Sequence, residues 1–276
     1  MTVKIHHLNC GTMCPFCARL INGRGGWADR AKMVCHCLLV ETPESLVLID
    51  TGLGTQDIAH PGARLGLGFL ATVQPKLAEH ETALAQVKKL GYDPRDVRHI
   101  VPTHLDLDHA GGLSDFPEAQ VHVYKTELDA ALHPTIKERA RYKSEQFAHA
   151  PKWSPLEESG ETWFGFDSIR AIPGLSTDVL LIPLIGHTRG HCGVAVRDGE
   201  RWVFHCGDAY FYHGTLDNPP HMPAGLAVFE KIVQTYSDKR LANQARLREL
   251  AANHRDMVDI FCAHDPVEFE RMGGVA

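Results

Sequence analysis

Thr103-His-Leu-Asp-Leu-Asp-His-Ala-Gly-Gly112 places four metal-capable side chains, His104, Asp106, Asp108 and His109, within six positions. The run Val97–Val101, apolar but for Arg98 and His99, leads into it. This pattern predicts a strand delivering its end to a loop of ligands. In an extended chain alternate residues share a side. His104, Asp106 and Asp108 are then expected together, with Leu105 and Leu107 packed opposite and His109 following as the chain turns. Gly111 and Gly112 remove side-chain bulk at that bend. Three later segments can complete the site: Gly186-His-Thr-Arg-Gly-His191, Gly207-Asp-Ala209 and Ala263-His-Asp265. Two metal ions need roughly three or four protein ligands each, with positions left open for water and substrate. Neutral His nitrogens and Asp oxygens that can bridge meet that need.

The segments that carry these residues run from Asp50 to His264, so a domain boundary between them would cut the site; a single domain over residues 1–276 is expected. A net charge of -6 argues against nucleic acid as the partner, because phosphate binding needs a basic face. No apolar stretch approaches the roughly 20 residues of a membrane helix, and Met1-Thr-Val-Lys-Ile-His lacks an apolar signal core. No membrane partner and a cytoplasmic location are therefore expected. Eight cysteines, several beside strand-like runs, fit buried free thiols of a reducing compartment better than a disulfide framework.

Along the chain, residues 34–40 and 46–49 flank Thr42-Pro-Glu-Ser45 and predict a hairpin. Residues 54–68, rich in Gly and without a period, predict an irregular loop. Leu77, Leu84, Val87 and Leu90 predict a helix over 76–90, stopped at Gly91. Further strands are expected at 121–124, 169–172, 179–182, 192–196, 202–205 and 258–262. A short helix is expected over 126–132, and the longest over 226–253. Residues 133–162, mixing charge, proline and aromatics, read as a helical insertion or a lid. The alternation of strands and helices indicates an α/β chain with a substantial sheet.

The ligand loop and its later partners resemble the metallo-β-lactamase fold superfamily, whose hallmark is His-x-His-x-Asp-His. The match runs in order and spacing from Asp50-Thr-Gly52 to His264. The resemblance implies a four-layer αββα sandwich, two sheets inside and helices outside, with two divalent metal ions at one edge. By that analogy His104, Asp106 and His187 hold the first ion, Asp108, His109 and His264 the second, and Asp208 bridges them. Asp50 would support the ligand loop through hydrogen bonds. Asp106 departs from the pattern, since most members place His there, and a carboxylate is a harder ligand. Zinc is the expected ion, with iron or manganese as alternatives. Such a centre makes hydroxide available as a nucleophile at neutral pH, with Asp108 as proton shuttle.

Within the superfamily the chain is most similar to the N-acyl-homoserine-lactone lactonases. The shared features are Thr-His-x-x-x-Asp-His-Ala-Gly-Gly-Leu, Phe116-Pro117 and Gly207-Asp-Ala209. Those lactonases carry a Tyr three residues beyond the bridging Asp. Here that position is Phe211, flanked by Tyr210 and Tyr212, the two candidates to donate a hydrogen bond to a substrate carbonyl. The implied activity is hydrolysis of a small-molecule ester or lactone, with the pocket walled by residues 54–68 and 142–163. A glyoxalase II-like thioesterase, which would need a basic cluster such as Arg240, Arg246 and Arg248, and an iron-dependent redox enzyme are the alternatives. A homodimer is the assembly left open. Cys10, Cys14 and Cys17 match the spacing of a radical-enzyme iron–sulfur motif, but the accompanying hydrolase pattern favours free thiols near the pocket mouth, with Met13 and Phe16 adding apolar surface.

Overall fold

Leu38, Leu39 and Val40, like Val47, Leu48 and Ile49, are all fully buried. Successive strand residues point to opposite faces, so both faces of their sheet must be covered. The computed structural model, which describes residues 3–158 and 160–274, shows by what. One sheet runs in the order β1 (Lys4–Asn9), β2 (His36–Glu41), β3 (Leu46–Ile49), β4 (Val97–Val101), β5 (Gln120–Tyr124) and β6 (Lys152–Leu156). The other runs β12 (Val258–Phe261), β11 (Arg201–His205), β10 (Cys192–Asp198), β9 (Val179–Pro183), β8 (Phe166–Arg170) and β7 (Glu161–Trp163).

The pleat sorts side chains into layers. Leu38, Val40, Val47 and Ile49 meet Val179, Leu181, Val194 and Phe261 between the sheets. Their neighbours Leu39, Leu46 and Leu48 face outward onto Val87 of the helix Ala83–Lys89 and Leu128 of the helix Lys125–Leu132. On the opposite side Leu180, Ile182 and Phe204 receive Leu247 and Leu250 of the helix Ser237–Asn253. Each such side chain contributes about 1.5–3 kcal/mol by leaving water. The result is the four-layer αββα sandwich of the metallo-β-lactamase type.

Strand direction determines where the ends fall. β3 and β4 are parallel, so Asp50 and the ligand loop leave one edge together. β11 and β12 are parallel, and β9 runs the same way because β10 is antiparallel to both β9 and β11. Their ends, carrying His187, Asp208 and His264, also share an edge. The two edges are joined where Val34 N–H and His36 N–H reach the carbonyls of His264 and Ala263 at 3.5 and 2.9 Å.

Three expectations need correction. Residues 54–68 are helical, as Thr55–Ala59, Pro61–Arg64 and the start of Gly66–Val73. Asp57 bonds the backbone of Gly54 at 2.9 Å and Arg64 Nε at 2.7 Å, contacts a periodicity search does not register. The helix expected over 76–90 begins only at Ala83, where Thr82 caps Ala85 N–H, because Leu77 sits at φ 52°. The helix expected over 226–253 is two, Ala224–Val233 and Ser237–Asn253. Among the described residues no helix is long and apolar enough to cross a membrane.

Candidate metal centre

The chain leaves β4 extended as far as Asp106, which then serves as the N-cap of the short helix Leu107–Ala110. Alternation therefore accounts for His104 and Asp106, while Asp108 and His109 are presented by the first turn of that helix. Leu105 and Leu107 are buried as expected. Gly207, at φ 53°, makes the turn before Asp208; a Cβ there would lie 2.6 Å from His191 Nε2. That nitrogen accepts Asp208 N–H at 2.8 Å, so His191 fixes the backbone of the expected bridging residue.

Hydrogen bonds set the tautomers of three rings. Asp50 accepts Thr103 N–H and Thr103 Oγ1–H at 2.7 and 2.8 Å, and the Nδ1–H of His109 at 2.8 Å. Thr103 Oγ1, having donated to Asp50, accepts from His104 Nδ1 at 3.0 Å. His264 Nδ1 donates to the Val34 carbonyl at 2.7 Å. In the neutral imidazole the other nitrogen then carries a lone pair. So His104, His109 and His264 all turn Nε2 lone pairs inward, toward one another and toward carboxylates. His109 Nε2 lies 3.3 Å from His264 Nε2, and Asp208 Oδ1 lies 3.1 Å from His264 Nε2 and 3.4 Å from His109 Nε2. Lone pairs facing lone pairs repel. Protonating both rings would instead set two N–H groups against each other, and a single proton shared as N–H···N would serve this pair alone, leaving the buried carboxylate oxygens without a partner. A cation between them satisfies every group at once.

The remaining donors complete the pattern. His187 Nε2 is 3.0 Å from Asp106 Oδ2 and 3.3 Å from Asp208 Oδ2. Donor atoms of His104, Asp106, His187 and Asp208 lie within 4.8 Å of one another, as do those of His109, Asp208 and His264, and those of Cys35, Asp108 and His264. His104 Nε2, Asp106 Oδ1 and Asp208 Oδ1 are buried without a hydrogen-bond partner among the described residues. A buried polar atom left so is costly unless something binds it. The residues thus fit divalent metal ions, with hard carboxylates beside imidazoles suited to zinc, iron or manganese.

Burial opposes ionisation of Asp208, yet His264, His109 and His187 hold its carboxyl well below the usual range. Burial likewise opposes the imidazolium of His109, but Asp208 and Asp50 outweigh it and raise the pKa well above the ordinary value. His187 goes the other way, lowered to about 4 by burial and by Arg141. Burial and Asp108 push the Cys35 thiol well up. Asp106 has a partner the sequence did not reveal: Arg141 Nη1 donates to its Oδ2 at 2.9 Å, and Arg141 Nη2 donates to the Val233 carbonyl. Against the cost of burial, Arg141 and His104 hold the Asp106 carboxyl well below its normal pKa.

A cavity of about 690 Å³ opens over Asp106, Asp108, His187, Asp208 and His264. Met13, Met33, Phe69, Phe211, Phe229 and Val233 form its apolar walls. The expected walls are displaced along the chain. Of the 54–68 segment only Gly68 reaches the cavity, followed by Phe69, Thr72 and Val73; the opposite wall is 135–141, not 142–163. Tyr142 is buried instead, its hydroxyl donating to Glu127 at 2.9 Å. Tyr210 does not face the cavity either: it is fully buried, and its hydroxyl lies 3.1 Å from both oxygens of Glu268. Contrary to expectation, Tyr210 is thus not placed to donate to a substrate in the cavity. Tyr212 lines a small adjoining cavity beside His264. Phe211, between them, stacks on the His264 ring at 5.4 Å and 10°. All eight cysteines are free, and Phe16 is exposed. Besides Arg141 and Cys35, sequence reasoning missed Glu127. It is fully buried and accepts from Leu105 N–H, Thr188 Oγ1 and Gly190 N–H at 3.0, 2.6 and 3.1 Å, tying the His104 loop to the His187 loop.

Residues 31–250 match the family model of the metallo-beta-lactamase superfamily. A probable metallo-hydrolase of Mycobacterium tuberculosis is 46% identical over 265 residues, spanning 96% of this chain and 81% of the relative. An N-acyl homoserine lactonase from a Bacillus species is 28% identical over 272 residues, spanning 98% and 96%. Among solved structures, an N-acyl homoserine lactone hydrolase with the product N-hexanoyl-L-homoserine bound at its catalytic metal centre is similar in fold. Its TM-score is 0.73 at 23% identity, over 98% of this chain and 97% of that one.

Proposed function

The chain belongs to the metallo-β-lactamase superfamily and is a metal-dependent hydrolase, and from that premise we propose that it opens lactones. The observation that carries the reading is the set of imidazole lone pairs and carboxylates gathered at the floor of an apolar-walled cavity of about 690 Å³. We assign His104, Asp106 and His187 to one ion, Asp108, His109 and His264 to a second, and Asp208 to both, in one domain over residues 1–276. Divalent ions bound there supply Lewis acidity and an activated water at neutral pH.

The chain's own groups do the rest. Asp50, through Thr103 and His109, holds the ring tautomers. The apolar walls exclude water and accept an acyl chain, placing the ester carbonyl over the polar floor. Asp108 lines the cavity and carries the proton to the departing oxygen. The three arginines of the thioesterase alternative do not line the cavity: Arg240 is buried against Glu230 at 2.6 Å, Arg246 lies over Phe166 at 4.0 Å, and Arg248 bonds the Thr215 carbonyl at 3.4 Å.

A panel of lactones, thioesters and phosphodiesters, assayed with the zinc, manganese and iron forms, tests the reading. Lactones are expected to exceed the other classes by about tenfold or more in kcat/KM, equivalent to ~1.4 kcal/mol of transition-state discrimination. Thioester or phosphodiester turnover matching that of lactones would remove the substrate assignment.

A further inference from the structure

Cys35 stands one residue before β2 and is 2% exposed. Its backbone is pinned on both sides. The N–H donates to Asn9 Oδ1 at 3.1 Å, and the carbonyl accepts Cys10 N–H at 2.7 Å. Its neighbours in the chain bind the His264 segment, since the Val34 carbonyl takes His264 Nδ1–H at 2.7 Å and His36 N–H reaches the Ala263 carbonyl at 2.9 Å. The stretch that fixes the tautomer of His264 therefore also delivers a thiol to it. Donor atoms of Cys35, Asp108 and His264 lie within 4.8 Å of one another, and Asp108 Oδ2 is 3.5 Å from His264 Nε2. A second observation points to a cation at the same place. Asp208 Oδ1, buried and without a hydrogen-bond partner among the described residues, lies 3.1 Å from that Nε2.

We propose that Cys35 is a thiolate ligand of the ion held by Asp108 and His264, an inference that rests on the assignment made above; beside His109 and Asp208 it brings that ion's protein donors to five and leaves a sixth position open. Binding breaks the S–H bond heterolytically: sulfur keeps the electron pair and donates it to the ion, and the proton leaves to solvent, with no change of oxidation state. A thiolate is a soft donor and selects zinc over manganese, whereas Asp106 gives the other position a hard one. Both positions also hold carboxylates, so the thiolate shifts the preference of its own position toward zinc and leaves the Asp106 position the readier to accept a harder ion.

Two measurements on the metal-loaded protein test this without reference to turnover. X-ray absorption of the wild-type zinc form is expected to show a sulfur scatterer at about 2.3 Å. The cobalt form is expected to show a thiolate-to-metal charge-transfer band in the near ultraviolet, lost in Cys35→Ala and kept in Cys37→Ala. The wild-type spectrum needs no variant to fold. Bound zinc without a sulfur scatterer, bound cobalt without the band, or a band that survives in Cys35→Ala would overturn the assignment of Cys35 and leave the hydrolase reading standing. Failure of the wild-type protein to take up either ion would overturn both.

Discussion

Asp50 carries more of the centre than any residue that faces the cavity. Its two oxygens accept from Thr103 twice and from His109 once, and through Thr103 it also orients His104. A carboxamide in its place could accept at one atom only and would turn an N–H₂ toward the other donors. Asp50→Asn is therefore expected to weaken zinc binding by ~10–100-fold, the usual cost of losing a partner that orients metal ligands. Competition with a chelating dye measures this, and unchanged affinity would show that the ring tautomers do not depend on Asp50. At this scale the sequence is legible where residue type and spacing coincide. His104, Asp106, Asp108 and His109 stand out because they crowd one loop. Arg141 does not, since it pairs with Asp106 across 35 residues from a segment without a period. Cys35 is concealed differently: beside an apolar strand a thiol reads as one more small hydrophobic group.

Elements bring these residues together through polar anchors that periodicity does not display. The helix Lys125–Leu132 contributes Glu127, a single carboxylate that accepts from both the His104 and His187 loops and from Tyr142. Glu127→Ala would leave several buried donors unmatched, at about 1–3 kcal/mol each. Thermal unfolding is expected to fall by a total of several kcal/mol, with first-ion content reduced in parallel; a variant as stable as wild type would show that water replaces the carboxylate. The helix Pro266–Arg271 contributes Glu268, whose carboxyl is raised to about 7 by burial and by Asp265. Between pH 4.5 and 7 the folded state holds a proton there that the unfolded chain has lost, so this group makes stability fall as pH rises through that window. Glu268→Gln, which stays neutral, is expected to match wild type near pH 4 and to unfold at higher temperature near pH 8, as circular dichroism melts would show. Equal melting points at both pH values would place Glu268 outside the titration. The same reliance on anchors explains the break at residues 234–236 in the expected helix over 226–253. There Thr235 N–H and Oγ1 and Tyr236 N–H bond the carbonyls of Gly186 and His187, at 2.8–3.0 Å. Residues 234–240, polar but for Tyr236, interrupt the apolar pattern without a glycine or proline, and the position of a partner loop identifies the break.

Across the whole molecule the periods made an α/β chain with a substantial sheet readable, while the four-layer arrangement followed from the resemblance that the ligand loop carries. Doubly buried strands give apolar runs, and the outer helices give stripes. What the periods do not contain is how the two sheets are joined at the site. The ligand loop leaves β4 of one sheet, whereas His187, Asp208 and His264 follow β9, β11 and β12 of the other. Direct bonds across that edge include those of Val34 and His36 to the His264 segment. Ions held at this place connect the sheets, and they bind a constellation that the unfolded chain does not possess. Free metal at about 1,000 times its Kd then stabilises by ~4 kcal/mol. At roughly 2–4 °C per kcal/mol for a chain near this size, chelation is expected to lower the melting temperature by about 10 °C. Inward-facing lone pairs and carboxylates, left without a counter-charge, act in the same direction. The shift should shrink in Asp208→Asn, which removes the donor assigned to both ions, and re-addition of zinc should restore the wild-type midpoint. A melting temperature that stays fixed while bound metal falls to zero would mean that protein contacts alone join the two sheets, with the ions serving the chemistry only.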